Sequence, residues 1–314
     1  MDVFMHRLSI ERHLMVINLN RQKKFVDQKK LTESSIVRAI MPTQDKSPLA
    51  PRAPANAGGV DFTYNPFTRE GHSFWSSVVG MDITPGIFDD CNKIDGGLKS
   101  VRPMPAMFYK TYDEYTKKLA DISKGMTLEG TSLAYPEESL VLWNIISRVP
   151  YIKTVCETGF NTGEGTVLWL TARPDVHVYS FDIGGHPYAK PMAKHVQELF
   201  PGRHNITWGD STKTLPVFIK NNPGILCDII YVDGGHTYGI SKTDFENFSK
   251  LGYTGSIVIL DNYPDYRLTF MKDLGGMWED NRRLMNILEV FKCSYGRKRN
   301  QGFSFGILTK PTEI

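Results

Sequence analysis

Residues Cys156-Glu157-Thr158-Gly159-Phe160-Asn161-Thr162-Gly163-Glu164-Gly165 decide how this chain is read. An apolar run, Tyr151 to Val155, precedes them, and the helix-like Thr166-Val167-Leu168-Trp169-Leu170 follows. Strand, glycine-rich turn and helix in that order bring a nucleotide-like ligand against bare backbone. Gly159, Gly163 and Gly165 permit tight dihedral angles and lack the Cβ atoms that would hold a ligand off.

Working outward, strand and helix signals alternate. Strand-like runs cover Ile152–Glu157, Val176–Asp182, Asn205–Gly209, Leu226–Asp233 and Gly255–Asp261. Helical candidates lie between them at Gly163–Thr171, Ala189–Phe200, Thr212–Asn221 and Tyr238–Leu251. Several of the runs are almost continuously apolar, as strands covered on both faces are. A last helix, Trp278–Phe291, is expected before two strands, Lys292–Arg297 and Gly302–Thr309, whose short link makes them an antiparallel hairpin. The pattern predicts an α/β, Rossmann-like, doubly wound sheet of about seven strands, mostly parallel with an antiparallel C-terminal hairpin.

Upstream, Met107 to Ile122 can form an amphipathic helix, and Pro136-Glu137-Glu138 begins another running through Ile146. Proline in a first turn wastes no N–H, and acids after it suit the helix dipole. Residues 1–105 read as a poorly structured N-terminal extension, with basic clusters (Arg21 to Lys24, Lys29-Lys30) and a Pro/Ala/Gly-rich stretch from Met41 to Gly59. A helix around Met5 to Val26 is the one periodic feature there, and a basic arm toward a membrane surface or acidic partner is the alternative reading. Residues 106–314 are expected to form the folded domain, with its N-terminal helices.

Bulk properties exclude several classes. A net charge of +3 is too small to point to nucleic acid. No segment approaches the roughly 18 to 20 apolar residues of a membrane span, and no secretory signal is evident. Four cysteines, at 91, 156, 227 and 293, form no C-x-x-C pair. That argues against zinc and against a disulfide framework. Cys156 and Cys227 are expected to be small buried hydrophobes in a reducing, cytoplasmic setting.

The chemistry-bearing residues stand at strand ends. Asp182 ends the second strand, beside the first in a doubly wound sheet, where its carboxylate could accept two ribose hydroxyls; a cap role is the alternative. The fourth strand ends Asp233-Gly234-Gly235-His236 and the fifth Asp261-Asn262-Tyr263. Adjacent parallel strands set Asp233, Asp261 and Asn262 side by side, a hard-oxygen set suited to Mg²⁺ or a similar divalent cation, or else pocket-lining and capping groups. His236, with an ordinary pKa of ~6.5, is placed to take a proton at neutral pH. Trp169 and Trp208 read as core, and Tyr238 and Asp244 as ordinary helix-face residues.

The glycine spacing G-x-x-x-G-x-G after Glu157 departs from the G-x-G-x-x-G of nicotinamide-binding turns. It resembles motif I of class I S-adenosylmethionine-dependent methyltransferases. Gly209-Asp210-Ser211 resembles the segment bordering adenine, Asp228 to Asp233 resembles motif IV, and the closing hairpin resembles that family's last two strands. The likeness runs over about 135 to 310. The D-G-x-H run with Tyr238 and Asp244 is similar to the methyltransferase 24 family, and Asp261-Asn262 to the metal triad of catechol-type O-methyltransferases. The resemblance implies a metal-assisted O-methyltransferase acting on a small hydroxylated acceptor. Glu157, Gly159, Asn161, Gly163 and Asp182 would hold the cofactor's amino-acid and ribose portions, and Asp210 and Ser211 would flank adenine. Asp233, Asp261 and Asn262 would hold the cation, and His236 stands where catechol-type enzymes carry a lysine base. An NAD(P)-dependent oxidoreductase and a non-catalytic methyltransferase-like binding domain are the alternatives. Neither acceptor identity nor oligomeric state is legible.

Overall fold

A computed structural model describes residues 106–129, 136–263, 273–295 and 301–309, all within one unit, Pro54–Ile314. The expected extension over 1–105 lies outside the described residues. Two helices, α1 (Ala106–Ile122) and α2 (Pro136–Arg148), lead into the alternating part. There β1 (Thr154–Thr158), α3 (Glu164–Ala172), β2 (His177–Asp182), α4 (Ala189–Leu199), β3 (His204–Trp208), α5 (Ser211–Asn221), β4 (Ile229–Val232), α6 (Tyr238–Leu251) and β5 (Ile257–Asp261) follow in turn. The chain closes with α7 (Leu274–Arg283), β6 (Ile287–Tyr295) and β7 (Gln301–Leu308).

The seven strands lie in the order β3-β2-β1-β4-β5-β7-β6. The first five pair in parallel, and β7 runs antiparallel to both β5 and β6. All four residues of β4 are buried, as a strand covered on both faces requires. Because β1 has β2 on one side and β4 on the other, chain direction through the sheet reverses there. The C-terminal ends of β1, β2 and β4 therefore open a crevice at the switch point. The expected sheet is the one observed.

Two expectations fail. The last helix is Leu274–Arg283, and Ile287 to Phe291, expected to be helical, belong to β6. Met285 adopts φ 57, a left-handed conformation that a helix of L-residues cannot carry through. The β-branched Ile287 then pairs with Leu308 of β7, and the ladder shifts register at Val290, between Glu289 and Phe291. Cys156 and Cys227 are not separate thiols: they form a disulfide with a Cα–Cα distance of 5.7 Å. Both are fully buried in the sheet's core, where side chains from β1 and the entry to β4 meet. These two cysteines therefore give no sign of a reducing setting. Cys91 and the Cys293 side chain lie outside what is described. Among the described residues, no helix is long and apolar enough to cross a membrane.

Candidate active site

The loop after β1 rests directly on the end of β4. Gly159 has φ 88, and a Cβ there would lie 2.0 Å from the Asp233 carbonyl oxygen, so only glycine allows this approach. Its N–H donates to the Phe181 carbonyl at 2.9 Å. Asn161 follows at φ 52, a conformation asparagine tolerates, and Gly163 at φ 87 opens α3. From α1, the buried Tyr115 hydroxyl donates to the Thr162 carbonyl at 2.9 Å and pins the loop from above.

Asp182 joins this loop to the next. Its Oδ2 accepts the Asn161 N–H at 2.8 Å and its Oδ1 the Gly184 N–H at 2.7 Å. Each oxygen keeps a further lone pair, so the carboxylate both shapes the crevice and retains acceptor capacity. Ile183 beside it is 75% exposed. Sequence reading passed over Ile183, since an apolar residue after a strand is unremarkable until its exposure is known. Trp208, opposite Asp182 in the β2–β3 register, is half-buried rather than core. Its ring meets Phe160 edge-on at 6.2 Å and carries Lys190 Nζ 5.8 Å from its centroid.

Glu157 is buried, and its carboxylate is taken up by protein donors. Its Oε1 accepts the Thr166 hydroxyl and, at 2.7 Å, the Ser180 hydroxyl; its Oε2 accepts Trp169 Nε1 at 2.9 Å. Burial raises its pKa, which these three donors oppose. Ser180 continues to His204 Nε2 at 3.0 Å, whose imidazole burial holds neutral with a pKa of about 4. The motif acid thus anchors α3 to β1 and β2. Asp210 is the N-cap of α5, accepting the Thr212 N–H at 3.0 Å and hydroxyl at 2.6 Å, with Lys213 Nζ at 2.9 Å. Ser211 lies near the buried Asp244, whose carboxyl burial lifts to about 6.

The strand ends bring the expected acids together. Asn262, at φ 60, turns its amide back so that Nδ2 lies 2.5 Å from Asp261 Oδ2 and 3.4 Å from Asp233 Oδ1. His236 Nε2 stands 3.7 Å from Asp233 Oδ1, with both side chains partly exposed. Burial pushes the Asp233 carboxyl up to about 8, against hydrogen bonds from Asp261 and Asn262. Asp261 is raised well above the carboxylate range by burial and then by Asp233. Glu138, in the first turn of α2, is only 3% exposed, and its charge bears on Asp233. The sequence offered no sign of this, because an acid in a first helical turn is explained by the dipole alone. Among the described residues, no three His, Cys, Asp or Glu side chains form a ready metal-ligand group. The set expected for an ion comprises two acids and one amide.

Helix α7 braces these loops. A Cβ on Gly275 would fall 2.1 Å from the Tyr263 ring, and one on Gly276 2.9 Å from the Tyr238 ring. The Tyr263 hydroxyl donates to Glu279 Oε1 at 2.8 Å and the Tyr238 hydroxyl to Asp280 Oδ2 at 2.9 Å. Tyr238 therefore ties the segment after β4 to α7. A cavity of about 480 Å³ lies alongside, lined by α6, α7 and the turn after α7, including Lys242, Phe245, Arg283 and Leu284. No strand-end residue reaches it, and the candidate site is instead the open crevice.

Comparison with known proteins agrees with this geometry. The family model described as a methyltransferase domain, methyltransferase 24, matches residues 156–263. No curated protein matches the sequence. The O-methyltransferase TomG from Streptomyces achromogenes, involved in tomaymycin synthesis and solved with SAM, is 17% identical with a TM-score of 0.50, over 70% of this chain and 97% of its own. An O-methyltransferase from Bacillus cereus solved with SAH is 14% identical with a TM-score of 0.50, over 69% and 96%. Cofactor-bound Rv0187 from MTB is 14% identical with a TM-score of 0.52, over 70% and 97%. At these identities the likeness concerns the fold. The resemblance to class I methyltransferases drawn from the sequence is borne out.

Proposed function

We propose that the chain transfers a methyl group from S-adenosylmethionine to a hydroxyl of a small acceptor, with a divalent cation at the strand ends. One observation carries this reading: within the segment that matches a methyltransferase domain, the Asn161–Asp182–Gly184 clamp and the Asp233–Asp261–Asn262 group open on the same sheet edge. Asp182 supplies acceptor capacity for ribose hydroxyls. Gly159, Asn161 and Gly163 supply a backbone turn free of obstruction, and Ile183 and Trp208 supply apolar surface for a base. Glu157 serves by holding α3 in place, and Asp210 by capping α5 next to Ser211.

The donor chemistry fits a hard cation in kind: two carboxylates and an amide on adjacent strands, with water or substrate oxygens to complete the shell. Held by Asp233, Asp261 and Asn262, such an ion would supply Lewis acidity that lowers the pKa of an acceptor hydroxyl. His236 takes the hydroxyl proton at Nε2, which stands 3.7 Å from Asp233 Oδ1. The remaining work is alignment of oxygen, methyl and sulfur, which the clamped loops provide.

Calorimetric titration with S-adenosylhomocysteine, with and without Mg²⁺, tests the reading. A dissociation constant near the micromolar range, about 8 kcal/mol, is expected. No heat together with no thermal shift would overturn it.

A further inference from the structure

We propose that Phe160 is a positioning residue for the cofactor, and that the imidazole of His204 is the seat on which it holds the loop after β1. The inference rests on the cofactor reading given above and adds two residues that no motif spacing picks out. Phe160 stands between Gly159, whose backbone meets the end of β4, and Asn161, whose N–H reaches Asp182 at 2.8 Å. Those neighbours offer backbone to the crevice, while Phe160 itself is only 3% exposed.

Contacts on several sides hold the Phe160 ring. It stacks on His204 with centroids 5.1 Å apart and planes 15° from parallel. It also meets Trp208 edge-on at 6.2 Å, and both arrangements are favoured between flat rings. His204 and Trp208 begin and end β3, and strand alternation puts them on one face of the sheet. From the loop side, a Cβ on Gly163 would fall 2.5 Å from the Phe160 ring, and the Gly163 N–H donates to the Phe160 carbonyl at 2.7 Å. One ring thus fills the turn that opens α3 and braces Trp208, which the reading above gives to the base. His204 is fixed in its turn. Ser180 has one hydroxyl proton and gives it to Glu157 Oε1 at 2.7 Å. His204 Nε2, 3.0 Å from the Ser180 oxygen, is therefore the donor in that contact. Nδ1 is left as a buried acceptor with no hydrogen bond among the described residues. A neutral imidazole with its one N–H engaged gives Phe160 a flat seat of fixed orientation, tied through Ser180 to the motif acid Glu157.

The test compares the full-length protein with Phe160→Leu, His204→Ala, His204→Phe and His204→Gln. Affinity for S-adenosylhomocysteine is read by calorimetry, and stability by thermal unfolding in the same buffer. Phe160→Leu and His204→Ala should each weaken binding about 3- to 10-fold, the worth of one aromatic pair. His204→Phe, which keeps a flat ring, should recover most of the loss. His204→Gln, which keeps an N–H for Ser180 but no ring, should stay weak. Because both residues act through one stack, the double variant Phe160→Leu/His204→Ala should lose no more than the larger single loss. Affinity in Phe160→Leu within about twofold of the parent overturns the proposal. So do full recovery in His204→Gln, losses that multiply in the double variant, or affinity that follows Tm across the set instead of the ring at position 204. A parent protein that binds no S-adenosylhomocysteine defeats the cofactor reading, and the proposal with it.

Discussion

Replacing Gly159 by alanine is the sharpest perturbation the fold offers. Two costs add. An L-residue at φ 88 stands in left-handed space, at about 1–2 kcal/mol. The new methyl would also sit 2.0 Å from the Asp233 carbonyl oxygen and 2.7 Å from its carbon. Those are backbone atoms at the end of a fully buried strand and cannot swing aside as a long side chain would, so overpacking adds about 1–3 kcal/mol. The expected loss is roughly 2–5 kcal/mol, read as a lower urea midpoint at unchanged slope. S-adenosylhomocysteine affinity should fall with it, since the displaced atoms join the cofactor loop to the acid end of β4. Gly165→Ala is the internal control. It lies six residues on, inside α3, where a Cβ meets nothing nearer than Glu157 Oε2 at 3.7 Å. Alanine there should be neutral or stabilise by about 0.5–1 kcal/mol. A Gly159→Ala protein within about 0.5 kcal/mol of the parent would refute the reasoning, because neither cost could then be real.

Other tests follow the same logic. Gly275→Ala pushes a methyl to within 2.1 Å of the Tyr263 ring and should cost about 1–3 kcal/mol in chemical denaturation; Gly276→Ala, at 2.9 Å from the Tyr238 ring, should cost less. Asp182→Ala frees two backbone N–H groups as well as a ligand acceptor, and a weakening of S-adenosylhomocysteine binding by about tenfold or more, at least about 1.4 kcal/mol, is expected by calorimetry. Asp233 has a folded pKa of about 8 against an ordinary 3.8. Its stabilising contribution is therefore complete below the lower value and lost as pH rises through the upper one. In cation-free buffer Tm should decline from about pH 4 to about pH 8 and level off above that, and Asp233→Asn should flatten the decline; an equally steep slope in that variant would assign it elsewhere. Alkylation before reduction should leave Cys156 and Cys227 unlabelled and joined in one disulfide-linked peptide pair, and label on either would contradict the bond.

What was legible in the sequence had local causes. Apolar runs bounded by glycine and acid marked β1, β2, β4 and β5, and with them the sheet and the placement of Asp182, Asp233 and Asp261. The direction of side chains was not legible. Glu157 occupies the motif position of a ligand-binding acid, yet Thr166, Ser180 and Trp169 draw it into the core. Those donors come from a helix and a neighbouring strand, and no spacing rule joins them. Glu138 was hidden for the same reason, since the acid its charge bears on lies at the end of a distant strand. The last helix was misplaced because Leu284 to Phe291 carries apolar residues at intervals compatible with either period, and one left-handed residue, Met285, decides the matter.

The bond between Cys156 and Cys227, 71 positions apart, divides the molecule in a way the sheet diagram hides. It closes the backbone into a covalent ring containing the cofactor loop, β2, β3 and the three helices α3, α4 and α5. Everything that carries the acids, from Asp233 to the final hairpin, is a tail attached to that ring at one point. A single cut inside the ring therefore releases nothing until the sulfurs are reduced, whereas a cut in the tail parts the chain at once. The ring keeps the loop after β1 at a fixed contour length that the chain beyond Cys227 does not share.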